Sequence, residues 1–442
     1  MSEPSEPGPT SGRHGPASVL TQAPFLFFSG SRLASGIAQT MHQATLAWQV
    51  YELTGSAFAL ATVGGVRFVA GFAGGMIGGA VADTSDRGKT VMVAQLVPIF
   101  ATLLLIGLTV AHLATMPVIY LLVALLGVAN SFENPARQAL LPQLVRRDTF
   151  QAAVTTSSTI GQLAFALGPM TAGLAITAAG VQGGYGIAVL LTSLSAALML
   201  PIKPLYPMTF RGAKLSLGLI KEGLHYVWKH QPVIGAMGLD TVAVMFAGAQ
   251  ALLPIYARDV LQVGSEGYGM LSSSQGIGAL GMSVLLLFLP PIRRVGRAMV
   301  LTVAMFGLAT LVFAVSRNFY LSLLAYAMTG AFDQISVVMR NIIIQMGTPD
   351  ALRGRVNAVN FVFIGAANQL GALHVGTVAQ LTSATFALVY GSIGCLAGIT
   401  VLGLKLPELW SHDSRHDAAL RAKEALDADT ADAAALAAVT AG

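Results

Sequence analysis

The chain has 442 residues, of which 54% are hydrophobic and only 10% are charged. Soluble domains carry about 25% charged residues, so these side chains are too few to cover a soluble surface of this size. The composition therefore argues against a large soluble enzyme, a disordered chain and, despite a net charge of +5, a nucleic-acid binder. The single cysteine, Cys395, excludes an intramolecular disulfide and a cysteine-based metal cluster.

Long apolar runs recur along the chain and predict membrane-spanning helices, which need about 20 mostly apolar residues each. Cutting these runs at charged, Pro-rich or Gly-rich breaks predicts twelve spans. They cover residues 24–50, 57–82, 90–112, 117–134, 150–179, 184–202, 233–257, 268–290, 298–315, 319–344, 356–380 and 384–405. We therefore expect an all-α membrane protein of two six-helix halves.

The segments between and around these spans complete the predicted domain organisation. Residues 1–23 are Pro-, Ser- and Gly-rich and indicate a flexible cytoplasmic leader, and 406–442 indicate an Ala-rich cytoplasmic tail. The halves are 24–202 and 233–405, and the linker 203–232 has the apolar spacing of an amphipathic surface helix. Basic residues favour cytoplasmic loops. Fifteen Lys and Arg lie in loops on one side and two on the other, which predicts cytoplasmic termini in a cell (inner) membrane.

The second span ends in a charged motif, Gly79-Ala-Val-Ala-Asp83-Thr-Ser-Asp86-Arg87-Gly-Lys89. A glycine permits close packing, and opposite charges at a helix end are able to pair across a gate. The motif resembles the signature between the second and third spans of the major facilitator superfamily. That resemblance implies that Asp83 and Arg87 help to lock the cytoplasmic side. The alternative is an ordinary positively charged cytoplasmic loop with an incidental Asp.

The fifth span contains Gly168-Pro169-Met-Thr-Ala-Gly173. Proline bends a membrane helix, and small residues allow a close partner. This segment is similar to the Gly-Pro signature of superfamily members that export by antiport, whereas a plain proline kink is the alternative. Segments after the first, fourth and tenth spans (48–56, 134–142 and 345–356) resemble the branch that includes enterobactin-type siderophore exporters and macrolide efflux proteins.

Polar residues inside the N-terminal half are candidates for function, because ionisable groups within a bilayer are costly. Arg32, Ser35, Gln39 and His42 share one face of the first span, which predicts a cavity lining. Arg32 is equally consistent with snorkelling to the surface, and His42 with a structural, hydrogen-bonded role. Glu133 and Arg137 lie near the end of the fourth span and are gate candidates. Glu133 is the expected partner of Arg87.

The C-terminal half offers carboxylates for proton coupling. Asp240 lies in the seventh span and Asp333 in the tenth, where Arg340 follows on the same face. Desolvation favours a protonated carboxyl, which a nearby cation opposes. A simple Asp333–Arg340 salt bridge is the alternative, and His42 is the third coupling candidate. The remaining substrate-cavity candidates are Gln250, Arg340, Asn360 and Asn368.

Together these features predict a secondary transporter that releases a small amphipathic siderophore or drug-like molecule in exchange for protons. A lipid-like or nutrient transporter of the same fold is the alternative, and a membrane enzyme or a channel fits less well. The sequence carries no phosphate-binding loop, zinc spacing or nucleophile motif. We expect no enzyme activity, metal, cofactor, ATPase subunit or nucleic-acid partner, with a proton gradient as driving force and a monomer in the lipid bilayer.

Overall fold

Apolar runs become helices because a bilayer offers the backbone no hydrogen-bond partners. The computed structural model describes residues 19, 21–84, 86–202, 217–290 and 292–406. Within them the helices of ten or more residues are α1 (Ala23–Thr54), α2 (Ala57–Thr84), α3 (Arg87–Val110), α4 (Met116–Leu144), α5 (Phe150–Met199), α6 (Leu217–Lys229), α7 (Gln231–Ala247), α8 (Gly264–Phe288), α9 (Val295–Val315), α10 (Phe319–Gly347), α11 (Asp350–Leu381) and α12 (Ala384–Lys405). Ten described helices are long and apolar enough to cross a membrane.

The 50-residue helix α5 is two membrane crossings, because its backbone reverses at Ala179 and Gly180. Gly180 has φ 67° and ψ −173°, a conformation that is essentially restricted to glycine. Moving along α1, the contacted residues of the first arm of α5 rise in number, whereas those of the second arm fall. The contacts are Arg32 to Ser157 and Thr40 to Ala164 along the first arm, and Ser31 to Ser195 and Gln49 to Tyr185 along the second. The two arms are therefore antiparallel.

Each of the ten apolar helices accounts for one crossing. Adding α1 and the second arm of α5 gives twelve crossings within the described residues, the number predicted. The structure thus confirms an all-α fold with six crossings in each half. We name the side at which α1 begins the inner side, following the predicted orientation. α6 lies in the linker between the halves, where Val227 is buried and Trp228 is 66% exposed; residues 203–216 lie outside the described part.

The seventh crossing is discontinuous, unlike the uninterrupted span predicted at 233–257. α7 ends at Ala247, and the chain continues through a 3-10 turn (Gln250–Leu252) and a π-helical turn (Tyr256–Val260). Pro254 follows the 3-10 turn and has no backbone N–H, so it cannot sustain the preceding helical hydrogen bonds. The crossing is therefore less regular on its outer side than on its inner side.

Capping residues set the outer ends of several helices. The Asn318 side chain accepts a hydrogen bond from Leu321 N at 3.1 Å, and Ser383 accepts one from Phe386 N at 3.2 Å. Gly55 ends α1 with φ 58° and donates its N–H to the Tyr51 carbonyl at 2.8 Å. Such caps satisfy backbone groups that a helix end leaves unpaired.

The buried apolar side chains form three clusters whose positions define the conformation. One cluster lies on the outer side and draws on both halves, from residues 41–60 and 172–185 to 249–271 and 375–388. The other two lie on the inner side, one within the C-terminal half and one within the N-terminal half. The halves therefore share a packed core on the outer side and have separate cores on the inner side.

Candidate transport site

A buried polar network occupies the interior of the N-terminal half. The Glu133 carboxylate Oε1 accepts hydrogen bonds from Arg137 Nε at 2.8 Å, Gln95 Nε2 at 3.0 Å and Ser35 Oγ at 3.0 Å. These three hydrogen bonds compensate the buried side chain for its loss of contact with water. The network joins α1, α3 and α4 through a single acidic side chain.

Two serines extend this network to the second arm of α5. Arg137 donates to Ser31 Oγ at 3.2 Å and to Ser195 Oγ at 3.0 Å, and Ser195 also accepts from Gln95 Nε2 at 2.8 Å. The Arg137 side chain is 4% exposed, so its charge depends on these partners inside the membrane. The sequence did not single out Gln95, Ser31 or Ser195, because isolated polar residues in apolar runs carry no periodic signal.

The predicted ion pair between Glu133 and Arg87 is not formed in this structure, and its role in a closed inner gate stays a prediction. Among the described side chains no ion pair joins the two residues; Glu133 is bound as above, and Arg87 donates to the Ala139 carbonyl at 2.8 Å. Arg137 lies one helical turn from Glu133 on the same helix, so its guanidinium is close enough to pair with the carboxylate.

The charged motif is only partly visible in the structure. Lys89 is exposed in the first turn of α3, and its backbone N–H bonds to the Asp86 carboxylate at 3.2 Å, which makes Asp86 the helix N-cap. The surroundings of Gly79 and the side chain of Asp83 lie outside the described part, so the gate roles of both residues stay predictions.

A cavity lies within the N-terminal half, on the outer side of the Glu133 network. Its walls come from α1 to α4 and the second arm of α5, and they include Ser35, Gln39, His42 and Arg67. About 50 Å³ of it is open to a water-sized molecule, enough for about three waters. The predicted polar face of α1 therefore lines a cavity, except at Arg32, whose Nε donates to the Ser157 carbonyl at 3.0 Å.

The Gly-Pro segment explains how the first arm of α5 packs on two sides. A Cβ at Gly168 would lie 1.9 Å from Thr40 Oγ1 on α1. A Cβ at Gly173 would lie 2.7 Å from the Cα of Gly269 on α8, and one at Gly269 would lie 2.8 Å from the Pro169 carbonyl oxygen. Gly168 and Gly173 thus permit a close approach between helices that any side chain would block. The contact at Gly173 joins the two halves.

The C-terminal half holds one buried ion pair, and a second carboxylate, Asp333, lies on α10. Asp240 on α7 forms a salt bridge with Arg340 on α10, and both side chains are less than a tenth exposed. The alternative Asp333–Arg340 salt bridge is wrong: among the described residues Arg340 pairs with Asp240. Seven residues separate Asp333 from Arg340, which is about 10.5 Å along a helix.

The other predicted cavity residues do not converge on one point. Gln250 is exposed at the start of the 3-10 turn, and Asn368 Nδ2 donates to the Ile364 carbonyl of its own helix at 2.8 Å. Asn360 is 9% exposed, and its Oδ1 has no hydrogen-bond partner among the described residues. Their roles as cargo ligands stay predictions.

Outer-side contacts between the halves were not predicted. The Tyr51 hydroxyl at the end of α1 donates to the Asp259 carboxylate in the π-helical turn, with Arg258 Cζ 5.8 Å from the Tyr51 ring centre. Nearby, Tyr268 OH donates to the Ala44 carbonyl at 3.2 Å. These residues lie in separate halves, so only the folded arrangement reveals their pairing.

The family model of transmembrane secretion effectors, a group within the major facilitator superfamily, matches residues 15–435, which is nearly the whole chain. The chain belongs to this family. It is therefore a multi-pass membrane transporter of the major facilitator fold and not an enzyme.

Among curated proteins, this family member is similar to enterobactin exporters. It is 26% identical over 366 residues to the enterobactin exporter EntS of Escherichia coli O81, covering 82% of this chain and 84% of that protein. The same figures hold for EntS of Shigella boydii serotype 18.

Solved structures with the same fold are transporters. A peptide transporter, POT, matches with a TM-score of 0.66 at 13% identity, covering 90% of this chain and 99% of that one. The nucleoside transporter NupG gives 0.66 at 12%, covering 88% and 99%. A bacterial homologue of the human lysosomal transporter Spinster, described as inward-facing and unoccupied, gives 0.60 at 12%, covering 91% and 97%. At these identities the likeness concerns the fold alone.

Proposed function

We propose that this transporter exports a small amphipathic molecule, siderophore-like or drug-like, by alternating access coupled to inward proton movement. The observation that carries the proposal is the arrangement of the three apolar cores. Because the halves share a core on the outer side and have separate cores on the inner side, the structure corresponds to an inward-facing state. Rocking one half against the other exposes a site between them to each side in turn. The similarity to enterobactin exporters supports the outward direction and the cargo class.

The C-terminal acidic cluster supports proton coupling. Asp240, Asp333 and Arg340 together carry one surplus negative charge inside the membrane, which favours uptake of one proton. A proton on Asp240 would remove the attraction between this carboxylate and Arg340, and it would weaken the contact between α7 and α10. Proton binding from outside and release inside then bias the two orientations of the halves, and they do so without an ATPase subunit, a metal or a cofactor. We expect a monomer in the lipid bilayer to be sufficient.

Proteoliposomes containing the full chain test both parts of the proposal. With an imposed pH gradient, wild type should transport enterobactin against its concentration gradient. Asp333→Asn is the cleaner coupling variant because it leaves the Asp240–Arg340 salt bridge intact, whereas Asp240→Asn leaves Arg340 without its acid. We expect at least one of the two variants to lose gradient-driven transport and keep exchange down a concentration gradient. Asp148→Asn, in an exposed loop, is the matched control and should behave as wild type.

The result also separates the alternatives. If both aspartate variants keep full gradient-driven transport, the proton site lies elsewhere and His42 becomes the next candidate. If wild-type transport ignores the pH gradient, antiport is wrong. If enterobactin is not moved but a lipid or nutrient is, the cargo assignment is wrong while the transporter fold stands.

A further inference from the structure

The membrane interior of this protein is asymmetric in charge. Among the described side chains, three guanidinium groups and one carboxylate lie within the crossings of the N-terminal half, away from the helix ends: Arg32, Arg67, Arg137 and Glu133. The described interior of the C-terminal half has two carboxylates and one guanidinium, as given above. Charges inside a membrane are costly and mark functional sites. The described interior of the N-terminal half therefore carries a surplus of positive charge.

Two of the three guanidiniums are accounted for by the fold. Arg137 is bound to Glu133 and two serines, and Arg32 donates to a backbone carbonyl of α5. Arg67, midway along α2, instead lines the cavity, and within the described residues its side chain forms neither an ion pair nor a hydrogen bond. The sole carboxylate in that cavity wall, Glu133, already accepts three hydrogen bonds on Oε1.

A second polar group faces the same space without a partner. His42 lines the cavity, with its ring centre 5.2 Å from that of Tyr185. Its Nε2 is fully buried and has no hydrogen-bond partner among the described residues. Gln39, one turn earlier on α1, adds an amide to the same wall. In the tautomer that carries the proton on Nε2, a ligand oxygen that accepts from this atom gains affinity, because an unpaired buried donor is costly.

We propose that Arg67 and His42 form a binding subsite for one carboxylate group of the cargo. A carboxylate presents oxygen acceptors to a guanidinium and to an imidazole N–H. The cavity has space for about three waters, so it takes the charged group and not the whole cargo. This inference rests on the proposed export function, since it names the cargo as a weakly acidic amphiphile. The subsite lies near the middle of α1 and α2, which matches transporter sites in depth, but it lies within one half and not between the halves.

Binding of two probes that differ in one charge tests the subsite without requiring transport. The full chain in lipid nanodiscs is titrated with 2,3-dihydroxybenzoate and with 2,3-dihydroxybenzamide, and affinities are measured by saturation-transfer NMR. Wild type should bind the benzoate at least about tenfold more tightly than the amide, the scale of one charge-assisted hydrogen bond. Arg67→Gln should lose this preference through weaker benzoate binding and leave amide binding unchanged.

Two further variants keep the test decisive. Arg67→Lys retains the charge and should retain part of the preference, which also covers the case in which Arg67→Gln does not fold. Arg146→Gln removes an exposed arginine outside the membrane and should bind both probes as wild type. Equal binding of the two probes by wild type, an unchanged preference in Arg67→Gln, or no preference in a folded Arg67→Lys overturns the subsite.

Transport separates this inference from the proposed function. If wild type shows the anion preference but moves no enterobactin in proteoliposomes, the export proposal fails and the subsite stands. If wild type exports enterobactin and Arg67→Gln exports it equally well with no change in benzoate binding, the subsite fails and the export proposal stands.

Discussion

The contact between Gly173 on α5 and Gly269 on α8 joins the two halves on the outer side, and Gly173→Ala should open it. A methyl group at Gly173 would lie 2.6 Å from the Ser265 carbonyl oxygen and 2.7 Å from the Gly269 Cα. Both neighbours are backbone atoms of one helix, so neither has a rotamer to adopt. The two helices must therefore separate on the outer side. In the proposed transport cycle, separation on this side leads to the outward-open state.

The size of the effect follows from the overpacking. Inserting a methyl group into a packed interface costs about 1–3 kcal/mol. The outward-open state separates α5 from α8 on this side, so it avoids the cost. Because about 1.4 kcal/mol is a factor of ten, the inward-facing state should lose about five- to 150-fold in population relative to the outward-open state.

Double electron–electron resonance measures this shift directly. Spin labels at Leu113 in the N-terminal half and Tyr320 in the C-terminal half, in a Cys395→Ala background, report the outer separation. Both side chains are exposed on the outer side, Leu113 between α3 and α4 and Tyr320 in the first turn of α10. Wild type should give one short distance, and Gly173→Ala should add a longer one.

A second alanine on the same helix controls for the added methyl group. A methyl group at Gly186 would meet no neighbouring atom within 4 Å, so Gly186→Ala should give the wild-type distribution. Identical distributions for Gly173→Ala and wild type, in a sample that is folded and reconstituted, would show that this glycine contact does not hold the outer side closed.

Three further predictions concern the outer side and the topology. Tyr51→Phe removes a hydroxyl that bonds a carboxylate in the other half, a bond worth about 1.5–3 kcal/mol, so the same label pair should again show the longer distance; an unchanged distribution would contradict it. Gly180→Ala should lower the free energy of unfolding by about 1–3 kcal/mol in denaturant titrations, because φ 67° with ψ −173° strains any side chain; wild-type stability would mean that the turn relaxes. In a Cys395→Ala background, His112→Cys should react with an impermeant maleimide from outside the cell and Lys229→Cys only from inside; the reverse would overturn the orientation.

Hydropathy predicted the number of crossings well, because the bilayer forces every spanning backbone into a helix. It placed the end of α1 and the start of α12 within a few residues of Thr54 and Ala384. It missed the break after Ala247, because a proline in an apolar run is compatible with a kinked or an interrupted helix. Tertiary geometry, and not local pattern, decides between those two.

The sequence predicted which residues line the cavity better than it predicted which charged residues pair with each other. The face shared by Ser35, Gln39 and His42 followed from helical periodicity alone, and the structure shows these residues on one cavity wall. The partner of Arg340 did not follow, because Asp240 lies a hundred residues away in the chain and meets it only after α7 packs on α10. Spacing within one helix finds residues on a common face, whereas pairs between helices require the fold.

The two halves use the same architectural element in different ways. Arg137 and Arg340 lie at corresponding points of the fourth crossing in each half, and each contacts the first crossing of its half, at Ser31 and Asp240 respectively. In the N-terminal half the acid, Glu133, is on the same helix as its arginine, so that ion pair survives any movement between helices. In the C-terminal half the acid is on a different helix, so the ion pair holds only while α7 and α10 stay together.

On the proposed mechanism, this difference would divide the two functions between the halves. A proton on Asp240 would alter a contact between helices, whereas a proton on Glu133 would alter an ion pair within α4. We therefore propose that the N-terminal half keeps its charge pattern through the cycle and that Arg67 binds a negative group of the cargo. Proton and cargo would then act on opposite halves, and the coupling between them would pass through the rocking of the halves against each other.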